Sequence, residues 1–383
     1  MRFIQADKIF DGRKFLDSGA TLVLDAQNHL KEITYKLPIE QNAVEYYSGI
    51  LCPGFVNAHC HLELSHFFGA IPQHTGLAAF AKQVVQLRPD FNKELALEQM
   101  QIWDHAMHQN GIVAVGDICN DALSFDIKQK SKIHYHSFIE LIGLNPNHAE
   151  KIFNNGLQLF QQLVGMGLQG SLAPHAPYSV SKQLVELIAD FNANLHSPSS
   201  IHNQESEEEE KFMQGEKGGF DDLYNFLNID LSWRTAPKMN GITLFEEALK
   251  KGKWLLVHNT FSAANDIVAT KHPNIYHCFC PNANLYIENQ LPLYDLFKNG
   301  GSQFCLGTDS LASNHHLDIV AEMNTIKKYS AFSDEEILKA ASLNGAQALG
   351  IENEFGSLIK HKNAGLNQLQ LHNNEFKLIK KIS

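Results

Sequence analysis

Short alternations of apolar and polar residues fill the first fifty positions, with Thr21-Leu22-Val23-Leu24 and Glu32-Ile33-Thr34-Tyr35 set between turn-forming residues. A period of two is the pattern of antiparallel strands with one buried face. From Ile50 the texture changes to short apolar runs, each followed by a helix-like amphipathic stretch. Eight such runs are candidate strands: Leu51–Asn57, Ile112–Asp117, Ile133–Glu140, Gly170–Pro174, Ser200–Asn203, Trp254–His258, Ile275–Phe279 and Gln303–Gly307. Candidate helices are Lys93–Asn110, Glu150–Met166, Ser181–Asn194, Leu244–Lys250 and Asp334–Leu349. Alternation of strand and helix implies parallel pairing, and eight units fit a closed (β/α)8 TIM barrel better than an open sheet. Beyond Leu349, Gly356–Lys360 and Leu366–Lys380 again look like strands and are expected to join the first fifty residues in a small β-sandwich formed by both termini. The expected α/β organisation is therefore residues 1–50 and 348–383 as the two parts of the sandwich, and 51–347 as the barrel.

In such a barrel the chemistry sits at the C-terminal ends of the strands. His59 and His61 end the first run, and on a strand an i, i+2 spacing sends both imidazoles to one face, where they can grip one ion. The fifth run ends in His202 and Glu205, the sixth in His258, the eighth in Asp309. Three imidazoles and one carboxylate, His59, His61, His202 and Asp309, make a metal cage. A catalytic ion leaves a position for water and lowers its pKa to about 7. Glu205 then stands as a proton shuttle beside the cage. His258 either completes the cage or donates a hydrogen bond to the attacking water, the second role being preferred, and Asp309 both binds the ion and accepts a water proton. His175, between Pro174 and Pro177, is expected to orient substrate. The plainer reading of Glu205 is that it opens an acidic run; for Glu207, Glu208, Glu209 and Glu210 that reading, a solvated helical face, is adopted.

Composition narrows the partners. A net charge of −11 over 383 residues, with Lys and Arg scattered, offers no basic patch for nucleic acid or an anionic membrane. Met1 to Phe15 lacks the continuous apolar core of a signal peptide, and a cytoplasmic location is expected. Cys52, Cys60, Cys119, Cys278, Cys280 and Cys305 lie mostly in apolar runs and are expected to pack as small free hydrophobes. The expected partner is a small-molecule substrate, and a homo-oligomer is compatible with the sequence.

The motifs P-G-F-V-N-A-H-x-H-L-E, A-P-H-A-P-Y-S-V-S, H-N-Q-E-S, V-H-N and G-T-D-S resemble the amidohydrolase superfamily, in its branch of mononuclear aminohydrolases and chlorohydrolases. The resemblance implies a distorted barrel beside a terminal sandwich, with one zinc or iron ion on His59, His61, His202 and Asp309, zinc being preferred. It also implies Glu205 as shuttle, His258 as polariser of water or substrate, and His175 as a purine contact. Gly170-Ser171-Leu172-Ala173-Pro174-His175 lacks the bridging lysine of binuclear members, so one ion is expected. His361-Lys362-Asn363-Ala364-Gly365-Leu366 lacks the aspartate usual in relatives.

Around His61 and Phe80 the chain looks most similar to aminodeoxyfutalosine deaminases and adenosine-type nucleoside deaminases. Glu63 is then a candidate contact to a purine edge, Phe80 a lid over the base, and Ser313, His66 and His315 candidates for the pocket rim. Arg88 and Arg234 are the candidate clamps for a substrate carboxylate, since bidentate recognition normally uses arginine. The implied activity is removal of ammonia from an adenine-type nucleoside or related purine by metal-bound hydroxide. A chlorohydrolase or cyclic amidase is the alternative within the family, and an inactive scaffold the alternative outside enzymes.

Overall fold

The computed structural model describes residues 1–36, 43–87, 92–362 and 365–382. Strands from both ends of the chain share one six-stranded sheet: β1 (Arg2–Ile9), β2 (Thr21–Leu24), β3 (Leu30–Thr34), β4 (Val44–Pro53), β13 (Leu366–His372) and β14 (Glu375–Lys381), in the order β14-β13-β4-β1-β2-β3. Its pairings are antiparallel except β1 with β4. Ile4, Leu22, Leu24, Leu51 and Leu366 form its apolar core.

Between these terminal strands the chain builds two parallel sheets. One orders β5 (Phe55–Cys60), β6 (Ile112–Cys119), β7 (His134–Leu141) and β8 (Gln169–Pro174); the other orders β9 (Pro198–Asn203), β10 (Lys253–His258), β11 (Ile275–Phe279) and β12 (Phe304–Leu306). Every residue of β5, β6 and β9 is buried, as expected of parallel strands covered on both faces, and this is why β6 reads as a nearly continuous rather than an alternating apolar run. Val56, Ala114, Phe138, Ala173, Leu255, Val257, Cys278 and Cys305 come from both sheets into one apolar cluster. Burying one such Val, Leu or Phe contributes about 1.5–3 kcal/mol.

The two sheets meet at two places. At one, the backbone N–H groups of Thr308 and Asp309, just past β12, both donate to the His59 carbonyl at 3.0 and 3.1 Å. Gly307 permits this approach, since a Cβ there would stand 2.8 Å from the Cβ of His59 and 2.9 Å from its carbonyl oxygen. Asn57 fastens the junction, donating from Nδ2 to Thr308 Oγ1 at 2.8 Å and accepting the Thr308 N–H at 3.0 Å. At the other, the His202 N–H donates to the His175 carbonyl at 2.9 Å.

Three expected elements differ. The run Leu51–Asn57 is divided: Pro53 pairs with Leu366 in the terminal sheet, while Phe55 pairs with Ile112. The chain changes sheets at Gly54, and the Pro53-Gly54 pair inside the apolar run is the sign of that break. Leu366–Lys380 forms a hairpin, but Gly356–Lys360 contains no strand, and Leu358 instead donates its N–H to the Asp11 carbonyl at 2.8 Å. Asp334–Leu349 is helical throughout but passes through a π-helical turn at Ala340–Asn344. Among the described residues no helix is long and apolar enough to cross a membrane. All six cysteines are buried and unpaired.

Candidate metal and substrate site

The strand ends that face the site bend sharply. Gln204, His258, Asn259 and Asp309 adopt φ of 47°, 71°, 58° and 57°, a left-handed conformation that L-residues avoid at a cost of about 1–3 kcal/mol where the side chain is bulky. Such strain persists only where surrounding bonds impose it, and here it turns His258 and Asp309 towards a common centre.

That centre is a cluster of Nε2 atoms and one carboxylate. His59 Nε2 and His61 Nε2 are 3.2 Å apart, and His61 Nε2 and His202 Nε2 are 3.4 Å apart. Asp309 Oδ1 lies 3.6 Å from His59 Nε2 and 3.3 Å from His61 Nε2. Four ligands about 2.0–2.2 Å from one ion in a tetrahedron stand about 3.3–3.6 Å from each other, close to these four separations, and His59, His202 and Asp309, together with His258, offer ligand atoms within 4.8 Å of one another, so the cluster suits a single divalent cation with His258 at its edge. Second partners fix the ligands. His202 Nδ1 donates to the His175 carbonyl at 2.8 Å, leaving the Nε2 lone pair for the centre, and Asp309 Oδ2 accepts from Ser313 Oγ at 2.6 Å. Burial, reinforced by the neighbouring His59, pushes His202 well below the usual histidine range, and burial lowers His61. Burial alone would raise Asp309, but His59, His61 and His258 outweigh it and hold the carboxylate well below its ordinary range. The lowered His61 and His202 and the ionised Asp309 tend towards the protonation states a metal ligand set requires.

Beside the cage, Glu205 Oε1 lies 3.5 Å from His258 Nε2. The Asn284 side-chain carbonyl takes the His258 Nδ1–H at 2.7 Å, so Nε2 presents its lone pair to the site. Burial lowers His258 to about 4. Burial, with Asp309 and Glu209 nearby, raises Glu205 well above the ordinary carboxylate value.

The amidohydrolase family profile matches residues 50–381. The chain belongs to the amidohydrolase family. It is 25% identical over 347 residues to an adenosine deaminase of Helicobacter pylori, covering 88% of this chain and 82% of that one. It is 27% identical over 361 residues to an aminodeoxyfutalosine deaminase of Nitratiruptor sp., covering 91% and 85%. The crystal structure of Helicobacter pylori aminofutalosine deaminase in complex with methylthio-coformycin superposes with a TM-score of 0.82 at 22% identity, covering 98% of this chain and 94% of that one.

In this amidohydrolase a cavity of about 230 Å3 is lined by His61, His175, His202, Glu205, His258 and Asp309 at one end, and by apolar residues including Phe80, Leu223 and Ile287 at the other. His175 bonds Ser179 Oγ through Nδ1 at 2.7 Å, which leaves its Nε2 for the cavity. Phe80 lies on the helix Leu77–Leu87, a wall of the cavity.

Other expected contacts are placed differently. Ser313 is fully buried behind Asp309, a ligand support and not a rim residue. Glu63 turns into the 3-10 segment Leu62–Phe67 and accepts the Asn120 N–H at 2.9 Å, away from the cavity lining. Burial pushes it to about 8. Arg234 stacks on Phe212 with its guanidinium carbon 3.8 Å from the ring centroid, so it is spent on the wall, and Arg88 lies outside the described residues.

Three residues placed at or beside the site escaped the sequence reading. Glu209, assigned there to a solvated face, is fully buried and accepts the N–H groups of Gln204 at 3.0 Å and Glu205 at 3.2 Å. Asn284 orients His258, and Glu140 lines the cavity from the end of β7. A single inward position in a run of acids is hard to pick out, and Asn284 sits in a run with no strand-end signal, whereas Glu140 closes the candidate strand Ile133–Glu140, the same signal that marks His258.

Proposed function

We propose that this amidohydrolase is a metal-dependent deaminase that replaces the exocyclic amino group of an adenine-type nucleoside or related purine with oxygen, releasing ammonia. The observation that carries the reading is the joint presence of a four-ligand cage and a raised carboxyl, Glu205, paired with an oriented His258. The deaminases among its relatives favour an aminopurine over other substrates, and aminodeoxyfutalosine is one candidate. The two parallel sheets are read as halves of a distorted (β/α)8 barrel, with the terminal sheet as its small companion.

His59, His61, His202 and Asp309 would hold one ion, zinc by preference and iron as the alternative, both of which suit imidazole and carboxylate. The chemistry such an ion supplies is a water ionised near neutral pH. The residues manage everything else. His175 orients the ring, and Phe80 and its apolar neighbours cover it and exclude bulk water. Glu205 gives a proton to the ring nitrogen next to the reacting carbon, while His258 and Asp309 take the proton that the water loses. The Glu205 carboxylate left behind takes the proton of the newly added hydroxyl and passes it to the departing amine, and the proton held by His258 and Asp309 returns to Glu205. Water adds and ammonia leaves, so atoms and charge balance.

Ammonia release measured across a panel of purine, pterin and pyrimidine amines tests the reading, together with Glu205→Gln. The variant should retain its metal and lose about 100- to 10,000-fold in turnover. Metal retained with unchanged turnover removes Glu205 from the mechanism, and no ammonia from any aminopurine directs attention to chloride or cyclic-amide hydrolysis.

A further inference from the structure

The apolar end of the cavity continues past Phe80 with residues to which the reaction scheme gives no task. On the helix Leu77–Leu87, Leu77, Phe80, Ala81, Val84 and Val85 recur at the spacing of one helical face, and all five line the cavity. Only Leu77 and Ala78 of that helix are buried. Phe80, Ala81, Val84 and Val85 are half-buried, so the chain itself leaves this face partly uncovered. Leu227, half-buried just past the helix Gly219–Phe226, lines the same space, as do Ile142 and Ile229, which are 52% and 43% exposed. Apolar surface held in a cavity and left wet by the chain is surface that a bound apolar group removes from water with a gain in affinity.

We propose that this wall is the subsite for an uncharged, apolar substituent on the 5′ carbon of the nucleoside's sugar, and that the enzyme favours such 5′-substituted adenosines over adenosine itself. The inference rests on the deaminase reading above, which sets the reacting amine at the cage. The ring nitrogen that carries the sugar lies across the purine from the carbon that carries the amine. With Phe80 over the ring, the 5′ carbon is therefore carried away from the cage, towards the part of the lining that Val84, Val85, Leu227 and Ile229 supply. Charge agrees with this choice. Among the described residues the acidic and basic side chains of the lining are Glu140, Glu205 and Asp309 besides the histidines, so an anionic tail would lose its hydration with no lysine or arginine to meet it. Arg234 is spent on Phe212.

The test is kcat/KM of the metal-loaded enzyme, read as ammonia release, for adenosine and its 5′-deoxy, 5′-methylthio and 5′-propylthio analogues. S-adenosylhomocysteine, which has the same thioether but a charged amino-acid end, completes the panel. Values should rise along the apolar series, by up to about 4-fold per methylene, and the propylthio compound should exceed adenosine by about 10- to 100-fold. S-adenosylhomocysteine should fall below the methylthio compound. In Val84→Asn the ratio of propylthio compound to adenosine should drop by about 3- to 10-fold, a change that partial misfolding, which lowers both rates alike, does not produce. A flat or falling apolar series overturns the inference without recourse to any variant, and a ratio unchanged in Val84→Asn overturns the assignment to this wall. S-adenosylhomocysteine processed as well as the methylthio compound overturns it too. Loss of that activity in Arg88→Met would then name Arg88, which lies outside the described residues, as the clamp. Absence of ammonia from every nucleoside overturns the deaminase reading itself, and this inference with it.

Discussion

Glu209 reaches back along the chain to accept the backbone N–H of Glu205 at 3.2 Å, and its other oxygen takes the N–H of Gln204 at 3.0 Å. A buried carboxylate thus holds the peptide that aims the proposed shuttle. Glu209→Ala should lower kcat about 10- to 100-fold while metal content stays near that of the wild type, because the bonds of His202 are untouched. Turnover and metal analysis on the same preparation check this, and an unchanged kcat refutes the positioning role.

Asn284 sets the tautomer of His258 through a 2.7 Å bond. Asn284→Leu removes the acceptor and should cost about 10- to 100-fold in kcat, whereas Asn284→Asp, which keeps an acceptor oxygen, should retain more activity than Asn284→Leu. Equal losses in the two variants would show that volume, not the hydrogen bond, matters at this position.

Lys128 is buried on the helix Phe125–Lys130 with its ammonium 2.6 Å from Asp117 Oδ2, and Asp117 Oδ1 accepts the N–H of Leu62 at 2.8 Å, one residue after the ligand His61. Lys128→Met leaves a buried charge without its partner and should destabilise the fold by about 3–5 kcal/mol. Urea denaturation reads the loss. The double variant Lys128→Met/Asp117→Leu should be more stable than the single, and a single variant within about 1 kcal/mol of wild type contradicts the account.

Glu322 is fully buried. Burial pushes it from about 4.5 to about 8, against the opposing hydrogen bonds from Asn282 and Asn314. A pKa raised on folding means that the folded chain binds the extra proton. The stability this adds is fully present below about 4.5 and is lost as pH rises through about 8. Between those limits the urea midpoint should fall with rising pH, and Glu322→Gln should show a flatter profile at lower overall stability. A variant profile parallel to that of the wild type would exclude Glu322 as a source of the slope.

Much of this site is legible in the sequence because metal ligands must leave strand ends in fixed spacings. His59 and His61 share a face by period, and His202, His258 and Asp309 each close an apolar run, so convergence follows once the strands are parallel. What supports those residues is less legible. Glu209 and Glu207 lie in one acidic run, and the helix Glu207–Gln214 turns the first inward and the second to water; the mark that separates them is that Glu209 stands three residues after the N-cap Ser206, where a side chain reaches back to the helix start. Ser313 has the polarity of a rim residue, but it is drawn beneath Asp309 by a hydrogen bond that spacing does not announce. The division at Gly54 leaves a mark, the Pro53-Gly54 pair, although the apolar residues on either side do not say which sheet takes them.

Gly307 and its neighbours have one more effect. His59 and His61 belong to one parallel sheet, while His202 and His258 end strands of the other and Asp309 follows its last strand, across the junction where the His59 carbonyl takes two N–H groups. The candidate metal centre is therefore a rivet through the two parallel sheets, the halves of the central part of the molecule. Neither half can slip or melt by itself without dispersing the ligands, so partly opened forms of the chain carry no reactive remnant, and an ion seated there would make the two halves come apart only together.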